Sequence, residues 1–516
     1  MPAVYTLEVV FPKPTGTSPT GIDGDNRSKF ALQGVEYAIP LAATGGMPPL
    51  AWTGSNLPSG AVVESYPSQS GESLWRLRWP NPQTDASDVQ VCVEDIHEAS
   101  DCETFSIDVQ AAGSSSRFRF VDAVDGNDSW DGTSPTFVSG TTGPWRTLSA
   151  VWSQGRMHQI IYFMAGVYNV DGITLASGGA YANFDYGGNG GLGRPTQWLN
   201  YPNESPELDL QSTGSDTPYI NLSEAENAWV EGFEVYGDWT KSFEVGMFFG
   251  RGSVWWNNNF HTGGDGGDGS NSAFIMMTSN SSNQSYGTVI ANNIFGSAGH
   301  NAIKAYTALK LVIEGNLLDG NDGMAMKADV EQYSIQFNKA QNLTSEAGAG
   351  LVTGNHNATH FTESSGETRF NAVLSTSSTT VYLVRGGIAN VAALHIYRNT
   401  FVGTAIIDRL GSAEGARTFT RNVIINATAA SGSCPAKFTC TSVTDFTKLV
   451  LSSNLTGVTG DNIVSASGDL QGSYLTDHGP ASATPKGHMM DTELSGGGGG
   501  ATDGPRGKGR TRIRMR

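Results

Sequence analysis

The sequence predicts an all-β protein: an N-terminal β-sandwich followed by a right-handed single-stranded parallel β-helix. Three observations predict it. Apolar strands ending in asparagine recur through the middle of the chain at near-regular intervals. The composition is rich in turn formers, with 65 glycines and only 16% charged residues in 516, which suits many short strands and few long helices. The first hundred residues instead alternate apolar and polar positions between Pro, Gly and Ser turns.

The recurring strands come first. They are Val254-Trp-Trp-Asn-Asn-Asn259, Val289-Ile-Ala-Asn-Asn293, Leu311-Val-Ile-Glu-Gly-Asn316, Tyr333-Ser-Ile-Gln-Phe-Asn338, Leu394-His-Ile-Tyr-Arg-Asn399 and Phe419-Thr-Arg-Asn422. Their asparagines are spaced 34, 23, 22, 61 and 23 residues apart. One coil of a parallel β-helix takes roughly 20 to 25 residues. The longer gaps read as one coil with an insertion or as nearly three coils. Asparagine suits the bend between strands: it tolerates left-handed backbone angles, and its amide can pair with the asparagine one coil away. The alternating Val, Ile, Leu and Phe supply an inward stack.

The chain divides into residues 1–112 (sandwich), 113–170 (linker, opening segment and capping helix), 171–461 (β-helix) and 462–516 (terminal cap or arm, Gly-rich link and basic tail). In the sandwich the strands are Tyr5–Val10, Leu74–Trp79, Val89–Val93 and Thr104–Val109. The capping helix is expected near Gly143-Pro-Trp-Arg-Thr-Leu-Ser-Ala150, because a β-helix must cover its open apolar end.

Net charge is −18, which excludes nucleic acid as the main partner, since a phosphate backbone selects basic surfaces. Residues 501–516 oppose this, with six Arg or Lys against Asp503, a local +5 that leaves −23 elsewhere. That tail reads either as a docking arm or as a solvated remnant. No apolar run is long enough to span a membrane. Met1-Pro-Ala-Val-Tyr-Thr-Leu-Glu8 has neither a basic start nor an apolar core, so a full-length chain is not expected to use the usual secretory route. The cysteines pair locally, Cys92 with Cys102 and Cys434 with Cys440, as two short disulfide loops or as free thiols.

Two segments resemble known families. Gly45-Gly-Met-Pro-Pro-Leu-Ala-Trp52 followed by Leu57-Pro-Ser-Gly60 is similar to the immunoglobulin-like repeats of bacterial and phage surface proteins, which serve as spacers or adhesion units. Phe118-Arg-Phe-Val-Asp-Ala-Val-Asp-Gly-Asn-Asp-Ser-Trp-Asp-Gly-Thr133, with Gly143–Ala150 and Ile160-Ile-Tyr-Phe-Met-Ala-Gly-Val-Tyr168, resembles the opening of pectate-lyase-like β-helix proteins and phage tailspikes. These resemblances imply a phage virion surface protein: a tailspike, fibre or capsid-decorating adhesin. It would bind host surface polysaccharide, contact other virion proteins and form a homotrimer. The alternative is a secreted bacterial polysaccharide lyase or hydrolase acting on an acidic polysaccharide.

Each chemistry has candidate residues. Asp322-Gly-Met-Ala-Met-Lys327-Ala-Asp329-Val-Glu331 resembles the coil carrying the catalytic lysine of chondroitinase-B-like and alginate lyases. The resemblance implies Lys327 as base, with Asp329 and Glu331 as calcium ligands. The arginine those enzymes carry on the next coil has no counterpart in Gly350-Leu-Val-Thr-Gly-Asn-His356. A hydrolase needs paired carboxylates, for which Asp319 and Asp322 are candidates, as are Asp265 and Asp268. Asp125, Asn127, Asp128 and Asp131 offer closely spaced oxygens for Ca²⁺, or a set of Asx turns. No other cofactor is expected. For sugar binding, Trp255 and Trp256 adjoin on a strand, so one should face outward. Trp229, Tyr236 and Trp239 lie about one coil earlier. His300, Lys304 and His356 are further substrate contacts.

Overall fold

The computed structural model describes residues 6–12, 26–113, 117–156 and 159–169 and, from 181 to 458, the strands and many of the bends between them. The Gly-rich link and basic tail, Cys434, Asn422, Trp239, Asp265, Asp268, Asp322, His300 and His356 lie outside the described residues.

Two four-stranded sheets form the N-terminal sandwich. One orders Glu8–Phe11, Tyr37–Thr44, Ser73–Trp79 and Val62–Pro67; the other orders Phe30–Leu32, Ser100–Gln110, Ala86–Glu94 and Ala51–Ser55. All pairs are antiparallel except Phe30–Leu32 with Ser100–Gln110. Cys92 and Cys102 are register partners and form a disulfide.

From Phe118 the chain winds into three parallel sheets of 12, 11 and 11 strands. The first runs from Phe118–Val121 to Leu449–Ser452, the second from Gly166–Asn169 to Leu455–Val458, and the third from Tyr181–Asn183 to Thr439–Thr441. Strand alternation aims one residue of each three-residue rung inward. On the first sheet that column is Trp198, Val230, Trp255, Ile290, Ile313 and Ile335; on the second it is Leu208, Val235, Phe260, Phe295, Leu318, Ala340 and Val373. All of these are buried in one continuous core. A helix, Leu148–Gln154, closes the N-terminal end. Thr147 caps it by accepting from the Ala150 N–H at 3.1 Å, and Leu148, Ala150 and Val151 enter the same core.

The asparagine ladder lies between the first and second sheets, and it corrects the sequence reading twice. It runs Asn258, Asn293, Asn316, Asn338, Asn371, Asn399, each buried. Asn258 takes the place expected for Asn259. Asn371 divides the 61-residue gap, which is two coils with insertions. The four inner members, Asn293, Asn316, Asn338 and Asn371, repeat one pattern. The Asn316 amide donates to Ile290 O and Asn338 Oδ1, both at 2.9 Å. Its oxygen accepts from the Asn293 N–H at 2.9 Å and the Asn293 amide at 3.0 Å. The left-handed angle falls instead on the preceding residue: Asn257, Asn292, Gly315, Phe337 and Phe370 have φ of 60°, 56°, 65°, 58° and 55°. Bending the chain and bonding along the helix are thus tasks of two adjacent residues.

The sandwich is not a spacer strung ahead of the β-helix; it lies along the outer face of the first sheet. Trp229, Val254, Trp256, Val289, Ala291 and Val312 from that face share a buried cluster with Phe11, Leu74 and Leu77 of the sandwich. Each large apolar side chain so covered contributes roughly 1.5–3 kcal/mol, ample to hold the two parts together. Trp256 Nε1 donates to the Tyr66 hydroxyl at 2.9 Å, and Phe11 meets Trp229 edge-on with centroids 5.5 Å apart. The Gln69 N–H donates to Asn292 Oδ1 at 2.7 Å and the Ser70 N–H to Gly315 O at 3.2 Å. Lys310 pairs with Glu8. Arg369 donates to the carbonyls of Gly46 (2.6 Å) and Gly45 (2.9 Å), seating the Gly-Gly turn on the β-helix. Gly315 is required here: a Cβ at this residue would stand 2.5 Å from Leu74 Cδ1.

Candidate functional surface

The sandwich covers the outer face of the first sheet between Phe118 and Arg369, which leaves the second sheet as an open surface. Two outward columns flank its apolar stack. One reads Glu207, Glu234, Asn259, Ile294, Leu317, Lys339; the other reads Asp209, Tyr236, Thr262, Ser297 on consecutive coils, with Asp319 and Gln341 continuing it. Parallel neighbours repeat about every 4.8 Å, so the second column is a line of polar groups along the long axis, while the first is polar at Glu207, Glu234, Asn259 and Lys339 and apolar at Ile294 and Leu317.

A β-bulge concentrates chemistry on this face. The register shifts between Val235 and Tyr236, which pair with Phe260 and Thr262. The extra residue is His261, and bulges re-aim side chains in this way. Its ring stacks on Tyr236 with centroids 4.3 Å apart and planes 8° from parallel. His261 Nε2 bonds Glu234 Oε2, and the same oxygen accepts from the Asn259 amide at 2.8 Å. Glu234 and His261 each keep about a third of the side chain exposed (36% and 33%). Burial, with the carboxylates of Glu207 and Glu234 close by, raises the Tyr236 pKa above the ordinary phenol value. Gly296 is needed on the next coil, because a Cβ there would stand 2.4 Å from His261 O. The arrangement offers an aromatic platform, a carboxylate–imidazole pair able to exchange a proton, and amide and carboxylate groups that bond hydroxyls.

The residues predicted from sequence are not brought into one site. Asp319 stands on the second sheet, where its oxygens accept from the amides of Gln341 (2.9 Å) and Asn342 (2.7 Å). Lys327, Asp329 and Glu331 occupy the third-sheet strand Gly323–Glu331, with Asp329 opposite Thr307 and Glu331 opposite Leu309; their side chains lie outside the described residues. Lys304 pairs with Met276 and Ala325 on that sheet and is fully buried, which corrects its reading as an exposed substrate contact.

Trp255 and Trp256 are also corrected. Trp255 points into the core, and Trp256 points outward as alternation requires but under Tyr66 of the sandwich; both are 1% exposed. Neither offers a free face to a sugar. Trp229 is likewise buried. Of the two readings open for the Asp125–Asp131 loop, its side chains make the Asx-turn contacts. Asn127 Oδ1 accepts from the Ser129 N–H (2.9 Å) and hydroxyl (2.8 Å). Asp128 accepts from the N–H groups of Arg146 (2.8 Å) and Thr147 (3.0 Å). Asp131 accepts from the Thr133 N–H (3.0 Å) and hydroxyl (2.7 Å). Among the described residues no group of three or more His, Cys, Asp or Glu is placed to hold a metal ion, and no helix is long and apolar enough to cross a membrane.

Sequence reasoning noticed Tyr236 but missed Glu207, Glu234, Asn259 and His261. The available signal was the alternation Glu234-Val-Tyr236 and Asn259-Phe-His261 just after the bend.

No protein-family model and no curated protein matches the sequence. Two solved structures are similar at low level. Pectate lyase Pel9A aligns at 12% identity and a TM-score of 0.28, covering 68% of this chain and 82% of that one. The catalytic unit of the thermostable GH87 alpha-1,3-glucanase from Streptomyces thermodiastaticus strain HF3-3 aligns at 11% identity and a TM-score of 0.25, covering 88% and 98%. The fold assignment stands on the strand ladder of the chain itself.

Proposed function

We propose that the chain is a polysaccharide-binding surface protein of the virion-spike type, a tailspike, fibre or capsid-decorating adhesin. In this reading it grips host glycan along the outer face of the second sheet. The observation that carries the binding reading is the bulge at His261, which stacks an aromatic pair beside Glu234 and Asn259 on an open, regularly spaced polar face. Sugar rings pack on aromatic faces while their hydroxyls bond planar polar side chains, and a column repeating each coil suits an extended polymer. The virion assignment is supported by the resemblance of the opening segment to tailspikes and of the Gly-Gly-Met-Pro-Pro turn to surface-protein repeats.

A second reading is polysaccharide cleavage, favoured by the hydrogen-bonded Glu234–His261 pair. Glu207 is the register partner of Glu234 one coil away, a spacing compatible with the two carboxylates of a retaining hydrolase, roughly 5–5.5 Å apart. Lys327 on the third sheet is the corresponding candidate for a lyase. Binding of the full chain to a panel of bacterial surface polysaccharides tests the first reading, with Tyr236→Ala expected to lose at least tenfold in affinity. Reducing-end release and unsaturated-product absorbance test the second, with Glu234→Gln and Lys327→Ala as separate arms. The native mass tests the trimer expected of a spike.

A further inference from the structure

The sandwich covers a sheet face that also carries charge. On the outward column Glu231, Trp256, Ala291, Glu314, Gln336, Arg369, two carboxylates lie beneath it. Glu314 is 5% exposed, whereas Glu231 lies deep beneath the sandwich but keeps part of its surface exposed. It accepts from the Gln336 amide at 2.8 Å, Gln336 accepts from Arg369 Nε at 2.9 Å, and Arg369 holds the Gly45 and Gly46 carbonyls of the sandwich. A polar chain therefore runs from Glu314 into the turn that seats the sandwich. Glu231 accepts from Trp229 Nε1 at 2.8 Å beside the same cluster. The sandwich brings Arg27, Glu36, Tyr66 and Arg76 towards these two acids. Its cations are otherwise engaged: Arg76 pairs with Glu64 at 2.7 Å, and Arg27 donates to Phe30 O and faces Tyr162. On the sheet side, Arg369 pairs with Glu367 at 2.7 Å.

We infer that the sandwich is a proton-dependent clasp, seated on the first sheet while Glu231 and Glu314 are protonated and loosened as they ionise. A carboxylate buried without its own cation is costly, and moving the sandwich away returns it to water. Burial pushes both acids up to about 7, so the switch falls near neutrality. The sign follows from linkage: the docked state binds the extra protons, so docking is strongest in acid and weakens as pH rises towards and through 7. Release would uncover Trp229, Val254, Trp256 and Val289, an apolar strip on an otherwise acidic molecule.

Two amides report docking directly, because the N–H groups of Gln69 and Ser70 donate across the interface. Hydrogen exchange of the full chain, corrected for intrinsic rate, is compared at about pH 5.5 and about pH 8.5. Linkage of both acids predicts that protection of Gln69 and Ser70 falls by at least tenfold, with an upper range of about 10²–10³-fold, while strand Ser73–Trp79 stays protected. The variant E231Q/E314Q should flatten the dependence. Unchanged protection in the parent overturns the inference, as does a fall shared by Ser73–Trp79 or one retained in E231Q/E314Q. If that variant does not fold, the two parental comparisons decide alone.

Discussion

Asn316→Ala removes one step of the ladder from the middle of the β-helix. The side chain is fully buried and makes four hydrogen bonds, two as donor and two as acceptor. Its loss leaves the Asn293 N–H and the Ile290 carbonyl without those partners in a closed interior. At about 1 kcal/mol for each net hydrogen bond, and about 1–3 kcal/mol for each buried group left bare, the substitution should cost about 4 kcal/mol. The control is Asn259→Ala. Asn259 sits in an otherwise similar Asn-rich turn, but its amide serves partly exposed Glu234, so its loss should cost less than about 1 kcal/mol. Denaturant unfolding followed by tryptophan fluorescence measures both, with exchange of the Asn293 amide as the local readout. Equal costs for the two variants, or a cost below about 1 kcal/mol for Asn316→Ala, would refute the ladder as the axial brace.

Three further predictions concern the docked sandwich. Gly315→Ala drives a Cβ to 2.5 Å from Leu74 at a position with φ of 65°; it should loosen the interface and speed proteolysis between the two parts, while Gly287→Ala, at the same φ but in open space, should not. Glu314→Gln should stabilise the protein above pH 7 by up to about 3 kcal/mol, from a shift of 4.5 to about 7, and by almost nothing near pH 4; equal effects at both pH values in thermal unfolding would contradict the buried-acid account. Arg369→Met leaves Glu367 buried beside an apolar chain and should cost about 3–5 kcal/mol, with much of that recovered in the double variant Glu367→Gln, Arg369→Met.

Most of the β-helix was legible because its two signals are local. Each coil must place an apolar residue inward, and each bend repeats a small set of residues. The missed coil shows where this fails. Strand Ser364–Arg369 has no apolar run: its inward residue is Thr368, and its outward Glu367 and Arg369 are buried by the sandwich. Nothing adjacent in sequence announces that cover. The same cover explains Trp256, where alternation gave the right direction but the wrong surroundings. The Asn257–Asn259 run could not reveal which asparagine bends, which bonds inward and which faces out. Tyr236 was visible as an aromatic near the site. His261 was not, since its position depends on a one-residue bulge that follows from pairing between coils.

The most direct test of the account is binding of host-type polysaccharide to the intact chain and to Tyr236→Ala, His261→Ala and Trp256→Phe. The first two should lose at least about tenfold, roughly 1.4 kcal/mol, while Trp256→Phe, buried under the sandwich, should bind like the parent. Binding lost with Trp256→Phe but kept with both second-sheet variants would contradict the account and place the glycan elsewhere.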